Sequence, residues 1–331
     1  MDIPSPLKLA VAIERWPIAG SFAISRGAKT EAVVVVAELA GGGFAGRGEC
    51  VPYARYGETP EGVAAAILGL APALERGLDR QALARALPAG AARNALDCAL
   101  WDFEAKRTGR PAHELAGLPV LRPLVTAFTI SLGTPDEMAK AAAKAAGRAL
   151  LKVKLGAAGD AARIAAVRRA APRAELIADA NEGWEPGNLN ENLAACAVAG
   201  VTLVEQPLPA GHDEALVAIK RPVPVCADES VHGRASLTAL TGKYDAVNIK
   251  LDKAGGLTEA LLMAEEATRL GFTVMAGCMV ATSLALAPAM LLAQAARVVD
   301  LDGALLLARD RPNGLKYAAS LVHPPSRELW G

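Results

Sequence analysis

No apolar stretch in this 331-residue chain is long and uncharged enough to span a bilayer. The N-terminal residues Met1-Asp2-Ile3-Pro4-Ser5-Pro6-Leu7 lack a basic region followed by an apolar core, so no secretory signal is expected. Paired cysteine spacing is missing as well. Cys50, Cys98, Cys196, Cys226 and Cys278 are scattered, which argues against a disulfide framework or a zinc site and suits a reduced, cytoplasmic protein. There is no excess charge, with 35 Lys+Arg against 35 Asp+Glu, so nothing argues for a nucleic-acid or membrane-surface partner. Histidine is scarce, and His113, His212, His232 and His323 all fall in expected loops or helix starts, as surface residues do.

What the chain does have is a series of short apolar runs in its second half, each ending in a charged residue. The runs begin at Ala149, Glu175, Val201, Pro224, Ala246 and Val298, and they lead to Lys154, Asp179, Glu205, Asp228, Lys250 and the pair Asp300/Asp302, the Ala246 run reading as a strand through Leu251 to Asp252. Helical patterns lie between them, at roughly 159–171, 189–199, 212–220, 234–241, 257–270 and 282–296. Strand then helix, repeated with short links, predicts parallel strands joined by helical crossovers. Near-continuous Val/Ile/Leu runs fit strands covered on both faces. About seven such units fit between residues 124 and 304, which predicts a (β/α)7β barrel, with an open doubly wound sheet as the alternative. Closure is favoured because only a barrel brings all these strand ends around one point, at the face where barrel active sites lie.

The first 120 residues are organised differently. Ala32–Leu39 and Ala45–Cys50 read as strands around the Gly41-Gly42-Gly43 turn, followed by helices near 60–75, 80–86 and 90–108. The expected division is an α+β capping domain at 1–120, a barrel at 121–304, and a tail at 305–331 that returns to the cap.

Asp179, Glu205 and Asp228 end three successive strands and can converge on one cation. An all-oxygen set without His or Cys suits magnesium first and manganese second. Acidic residues at strand ends also cap following helices, but three in consecutive units, with Asn181, Glu229 and Asp252 nearby as supporting groups, favour the metal. Lys154 lies one strand before the carboxylates and Lys250 one strand after, so the two should face each other across whatever the cation holds. A lysine has a pKa of about 10.4 and makes a poor base near neutral pH unless cations depress it. Lys152, on the same strand face as Lys154, and the metal would both act in that direction. Two bases opposite a metal-held carboxylate suggest removal of the α-proton on one face and its return on the other, through an enediolate.

These residues resemble the enolase superfamily, muconate-lactonising subgroup, over essentially the whole chain. The resemblance is carried by Lys152-Val153-Lys154, the Asp179/Glu205/Asp228 series and Lys250-Leu251-Asp252. Within that subgroup the chain looks most like the dipeptide epimerases of murein-peptide recycling, which act on L-Ala-D/L-Glu. The resemblance implies a capping domain over the barrel and a dipeptide as partner, and a homo-oligomer stays open. It implies that Thr129 and Cys278 line the substrate, that Asp300 and Asp302 grip its α-ammonium, and that Phe22–Lys29 is a mobile loop. A cation on that loop, Arg26 or Lys29, would meet the glutamate side chain. Ala281 departs from the Glu that many such epimerases carry. Pro52–Glu58 reads as a second closing loop. Cys278 is expected to pack rather than react. Three other readings stay open: an N-acylamino-acid racemase, an o-succinylbenzoate synthase, and a non-catalytic barrel that only binds. The first two act on substrates without a free amine, which Asp300/Asp302 would not favour.

Overall fold

The computed structural model describes residues 6–331, so residues 1–5 of the N-terminal stretch read for a targeting signal lie outside it. Among the described residues no helix is long and apolar enough to cross a membrane.

The cap opens with a three-stranded antiparallel sheet, β1 (Lys8–Ile24), β2 (Gly27–Gly41) and β3 (Phe44–Cys50). The sequence reading contained β2 and β3 in shortened form and missed β1, whose alternation is broken by Pro17 and Gly20. The β1–β2 register shifts between Pro17 and Phe22, then pairing resumes as Phe22↔Lys29, Ala23↔Ala28 and Ile24↔Gly27. The expected Phe22–Lys29 loop is therefore the paired tip of a long hairpin. At the shift the ribbon is tied to the segment just after the last barrel strand, where Ala308 N donates to Pro17 O at 2.8 Å and Ile18 bridges Leu307. Beneath the sheet runs the Ala91–Thr108 helix, ended by Gly109 in the left-handed conformation. Gly46 and Gly48 let β3 lie directly on this helix, since a Cβ at either would collide with its main chain at Ala99 and Phe103 or at Ala95. Leu96, Leu100 and Phe103 of the helix pack with Val35, Leu39 and Leu74 to form the cap core.

The short β4 (Leu124–Val125) is followed by eight parallel strands: β5 (Phe128–Ile130), β6 (Leu150–Lys154), β7 (Glu175–Asp179), β8 (Val201–Glu205), β9 (Val225–Ala227), β10 (Ala246–Ile249), β11 (Thr273–Gly277) and β12 (Val298–Asp300). They pair in chain order, and Ala127 N donates to Val299 O at 2.8 Å to join the first stave to the last. A helix follows each of β5 to β11, and β12 is followed by a 3-10 turn, so the architecture is the (β/α)7β barrel rather than an open sheet. Side chains alternate along a strand, and this sorts the sequence into layers. Leu151 and Val153 of β6 face the surrounding helices in the large core. Leu150, Ile177, Leu203, Cys226, Ala246, Met275 and Val298 form an apolar plug inside the barrel with Ala127. Residues two or four positions further along these same strands carry the charges, so the charged layer sits on top of the plug.

Two expected boundaries shift. The helix read at 212–220 shrinks to Ala215–Ala218, and the strand read at Ala246–Asp252 stops at Ile249, after which Leu251–Ala254 form one helical turn. The tail forms β13 (Tyr317–Ala318) and β14 (Leu321–Val322), and β14 pairs with β4. Its last residues reach the cap, where Trp330 Nε1 donates to Cys98 O at 3.0 Å and Gly331 N to Asp102 at 2.8 Å.

Candidate active site

A cavity of about 810 Å³ lies between the hairpin tip, the Pro52–Tyr56 segment and the C-terminal ends of the barrel strands. Thr129, Lys152, Lys154, Asp228, Lys250, Cys278, Asp300 and Asp302 all line it, as do Arg26, Lys29, Asn181 and Glu229. Asp179 and Glu205 lie just beneath, fully buried. Asp252 is placed elsewhere. Its Oδ1 accepts from Val51 N and Asn94 Nδ2, each at 2.9 Å, so it ties the Lys250 turn to the cap.

Lys154 sits on β6 and Lys250 directly after β10, half the circumference of the eight-stave barrel apart. Each ammonium is held by a carboxylate: Lys154 by Asp179 at 2.6 Å, and Lys250 by Asp228 at 2.7 Å. Lys152 lies deeper, with Glu205 at 2.6 Å, Asp300 at 2.7 Å and Asp179 at 3.2 Å. Burying so many charges is tolerable only because each has a partner of opposite sign. The expected convergence of three carboxylates takes a modified form here. Among the described residues no three His, Cys, Asp or Glu side chains make a ready-made metal cluster. Ammonium groups stand between the carboxylates and draw each toward its own lysine.

The electrostatics follow from this packing. Burial lifts Glu205 to about 8, and the charge of Asp179 adds to the effect. Burial also acts against ionised Asp179 and Asp228, but Lys154 and Lys152 pull the first below its ordinary range and Lys250 and Lys253 pull the second well below. Lys250 and Lys152 would be depressed by burial alone, yet their carboxylate neighbours raise both well above the usual lysine range. At Lys152 and Lys250 the carboxylate partners thus outweigh desolvation of the ammonium. Asp302 is lifted to about 7 by burial and by Asp300 beside it, and its Oδ2 accepts from Thr129 N at 2.6 Å.

The two closing elements meet the barrel through arginines. Arg26 donates to Asn181 O at 2.8 Å, Glu229 at 2.7 Å, Glu182 at 3.1 Å and the Tyr53 hydroxyl at 3.2 Å. Ser25 Oγ donates to the same Asn181 O at 2.7 Å. Arg55 grips Glu182 with two donors, at 3.0 and 2.8 Å. Lys29 instead stands 5.2 Å from the Tyr53 ring centre, exposed at the cavity edge. His232, read as a surface residue, is exposed but packs edge-on against the Tyr56 ring at 4.8 Å.

Sequence reasoning missed Glu182, Asn248, Gln206 and Lys253. Asn248 Nδ2 donates to Glu205 Oε1 at 2.7 Å, and Gln206 Oε1 accepts from Asp228 N at 2.8 Å. Lys253 donates to Asp228 through both its carboxylate and its main-chain oxygen. The signal for Asn248 was present, since it precedes Lys250 by two on the same strand face. Lys253 was hidden by extending the strand through Asp252.

The donor set fits a hard cation. It comprises three buried carboxylates with no nitrogen or sulfur ligand, and Glu205 Oε2 makes no hydrogen bond despite its contact with Lys152.

Family models agree with this arrangement. Residues 136–325 match "Enolase C-terminal domain-like", and residues 7–117 match "Mandelate racemase / muconate lactonizing enzyme, N-terminal domain". The chain belongs to the enolase superfamily. Among superfamily relatives, it is 48% identical over 312 residues to an L-Ala-D/L-Glu epimerase of Escherichia coli (strain K12), covering 94% of this chain and 97% of that protein. It is 46% identical over 301 residues to an N-acetyl-D-glutamate racemase of a Pseudoalteromonas species, covering 90% of this chain and 94% of the racemase. A solved superfamily member from Agrobacterium tumefaciens, described with bound sodium, L-Ala-L-Glu and an ordered loop, is 56% identical. It superposes with a TM-score of 0.97 over 98% of this chain and all of its own. A dipeptide epimerase from Enterococcus faecalis V583, complexed with magnesium and L-Leu-L-Tyr, is 28% identical with a TM-score of 0.89, covering 98% of this chain and 97% of that one.

Proposed function

We propose that this chain is an isomerase that epimerises L-Ala-D/L-Glu, and related L-Ala-L-Xaa dipeptides, at the carbon next to the free carboxylate. The observation that carries the proposal is the presence of Lys154 and Lys250 on opposite staves around one cavity, with Asp300 and Asp302 at its margin. Asp179, Glu205 and Asp228 would hold a magnesium ion, or manganese in its place. When bound, it supplies positive charge beside the substrate carboxylate. Lys152 adds a fixed cation on the same side. Lys154 serves one face of the α-carbon and Lys250 the other, so a proton leaves to one lysine and arrives from the opposite one. Lys250 can act as a base only when Asp228 is otherwise neutralised, because that partner now holds the proton on.

Asp300 and Asp302 receive the dipeptide ammonium; Asp300 Oδ1 is buried without a partner and can accept from it. Thr129 and Cys278 flank the dipeptide. Arg26 is committed to closing the hairpin on the barrel, which leaves Lys29 to meet the glutamate side chain. Asn181 and Glu229 anchor the closed tip, and Asp252 braces the Lys250 turn. The protein comprises a cap at 1–120, completed by 305–331, and a catalytic barrel at 121–304. It works in the cytoplasm on peptides released from murein, a setting in keeping with its free cysteines.

The test is isotope exchange in deuterated water. Wild-type protein should exchange the α-proton of both epimers, Lys154→Ala that of one epimer alone, and Lys250→Ala that of the other. Equal exchange of both epimers by both variants would refute the two-base arrangement. A second reading, racemisation of an N-acylated glutamate, is favoured by the Pseudoalteromonas relative and by the engagement of Asp300 with Lys152. Turnover of N-acetyl-D-glutamate above that of L-Ala-D-Glu would select it.

A further inference from the structure

The helical turn after β10 carries three charged side chains that leave it in three directions. Lys250 faces the cavity, Asp252 reaches the cap, and Lys253 turns back under Asp228. Lys253 is only 3% exposed and does not line the cavity. An ammonium has three donors. Those of Lys253 go to Asp228 Oδ1, the Asp228 main-chain oxygen and, at 3.2 Å, Asn248 O.

We infer that Lys253 is a positioning residue that sets the orientation of the Asp228 carboxylate and, through it, the seat of Lys250. Two of its bonds hold one residue by main chain and side chain together, which leaves the Asp228 side chain no freedom to rotate. Oδ1 is thereby occupied, and Oδ2 is the oxygen presented to Lys250, at 2.7 Å. Gln206 fixes the same residue from the other side by accepting its N–H at 2.8 Å. The main chain closes the loop of constraints, because Lys250 O accepts from Lys253 N at 3.1 Å. Asp228, Lys250 and Lys253 thus form one rigid unit spanning the ends of β9 and β10. Partners behind a metal ligand typically govern its affinity by about ten- to a hundredfold.

The inference rests on the reading of Asp228 as a magnesium ligand, and the experiment separates the two. Magnesium affinity is measured by calorimetric titration of wild type, Lys253→Met and Lys253→Gln, alongside their melting curves without metal. Lys253→Met should weaken magnesium binding roughly ten- to a hundredfold. Lys253→Gln, which keeps two amide donors without the charge, should fall between it and wild type. In deuterated water the Lys253→Met variant should lose exchange mainly with the epimer served by Lys250, by about tenfold more than with the other. Magnesium binding to a normally melting Lys253→Met protein that is unchanged, or tighter, overturns the inference. Tighter binding is what simple removal of a nearby cation would give. If Lys253→Met does not fold, Lys253→Gln carries both measurements with the same criteria. A wild-type protein that binds no magnesium overturns the parent reading and this one with it.

Discussion

Replacing Asp300 by asparagine separates recognition of the dipeptide amine from support of the barrel floor. Asp300 Oδ2 holds Lys152 at 2.7 Å, while Oδ1 is buried with no hydrogen-bond partner. A charge-assisted hydrogen bond between Oδ1 and a substrate ammonium is worth roughly 1.5–3 kcal/mol. At about 1.4 kcal/mol per factor of ten, its loss should raise KM for L-Ala-D-Glu by roughly ten- to a hundredfold. Lys152 keeps Glu205 at 2.6 Å and Asp179 at 3.2 Å, so the fold should survive. The ammonium lies away from the reacting carbon, and kcat should fall less than KM rises. N-acetylated L-Ala-D-Glu provides the control. It has no ammonium, so any cost common to both substrates comes from disturbing Lys152, and only the excess on the free dipeptide belongs to recognition. The assay is steady-state kinetics of Asp300→Asn and Asp302→Asn on both substrates. Equal losses on the two would refute the recognition role and leave the pair a structural partner of Lys152 and Thr129.

Lys29→Met should raise KM for L-Ala-L-Glu by about five- to thirtyfold, from a contact of roughly 1–2 kcal/mol, and leave L-Ala-L-Leu nearly unchanged. Specificity ratios measured on the two dipeptides would contradict this if the preference for glutamate persisted. Asp252 makes a prediction about pH. Burial lifts its carboxyl from 3.8 to about 7. Folding therefore favours its protonated form; this contribution is fully present below about pH 4 and is lost as pH rises through about 7. Asp252→Asn should remove that dependence, so its stability relative to wild type should increase between those limits, by at most roughly 4 kcal/mol. Denaturant unfolding across the range checks the sign, and a constant difference would count against a raised carboxyl.

The barrel and its charges were legible because each strand carries two signals at once. A period of two puts Leu150, Lys152 and Lys154 on one face, and burial of that face forces any charge on it to find a partner. Strand ends were less legible. Lys250 to Asp252 continues an apolar run with no glycine or proline to stop it, and it is the cap, through Val51 and Asn94, that gives Asp252 a partner in a helical turn. β1 was missed because its apolar run, Leu9–Ile13, gives way to Glu14 and Arg15 and is then interrupted by Pro17 and Gly20, and much of the strand meets solvent. The ties at Glu182 are to Arg26 and Arg55 of the cap, and those of Gln206 are to Asp228, Ser230 and Tyr244 on later barrel segments, so both depend on residues distant in sequence. Both residues adopt positive φ, at 66° and 35°, which a sequence pattern of Asn-Glu or Glu-Gln-Pro does not announce.

The closing hairpin, being paired through its tip, behaves unlike a free loop. A free loop of eight residues places each side chain independently; a ribbon places them all together. This one is clamped near its register shift to Leu307 and Ala308, a few residues beyond Asp302, and again by Leu132 N donating to Ala23 O at 3.0 Å, just past Thr129. The elements that would grip the two ends of a substrate are therefore jaws of one caliper. Substituting Lys29 changes the chemistry of the outer jaw without moving it, whereas Arg26 is one of the ties that hold the jaw to the barrel. Adding or deleting a residue between Ile18 and Ser21 shifts the whole jaw relative to Asp300 and Asp302. Substrate polarity would then be read at the tip, and substrate length by the spacing behind it.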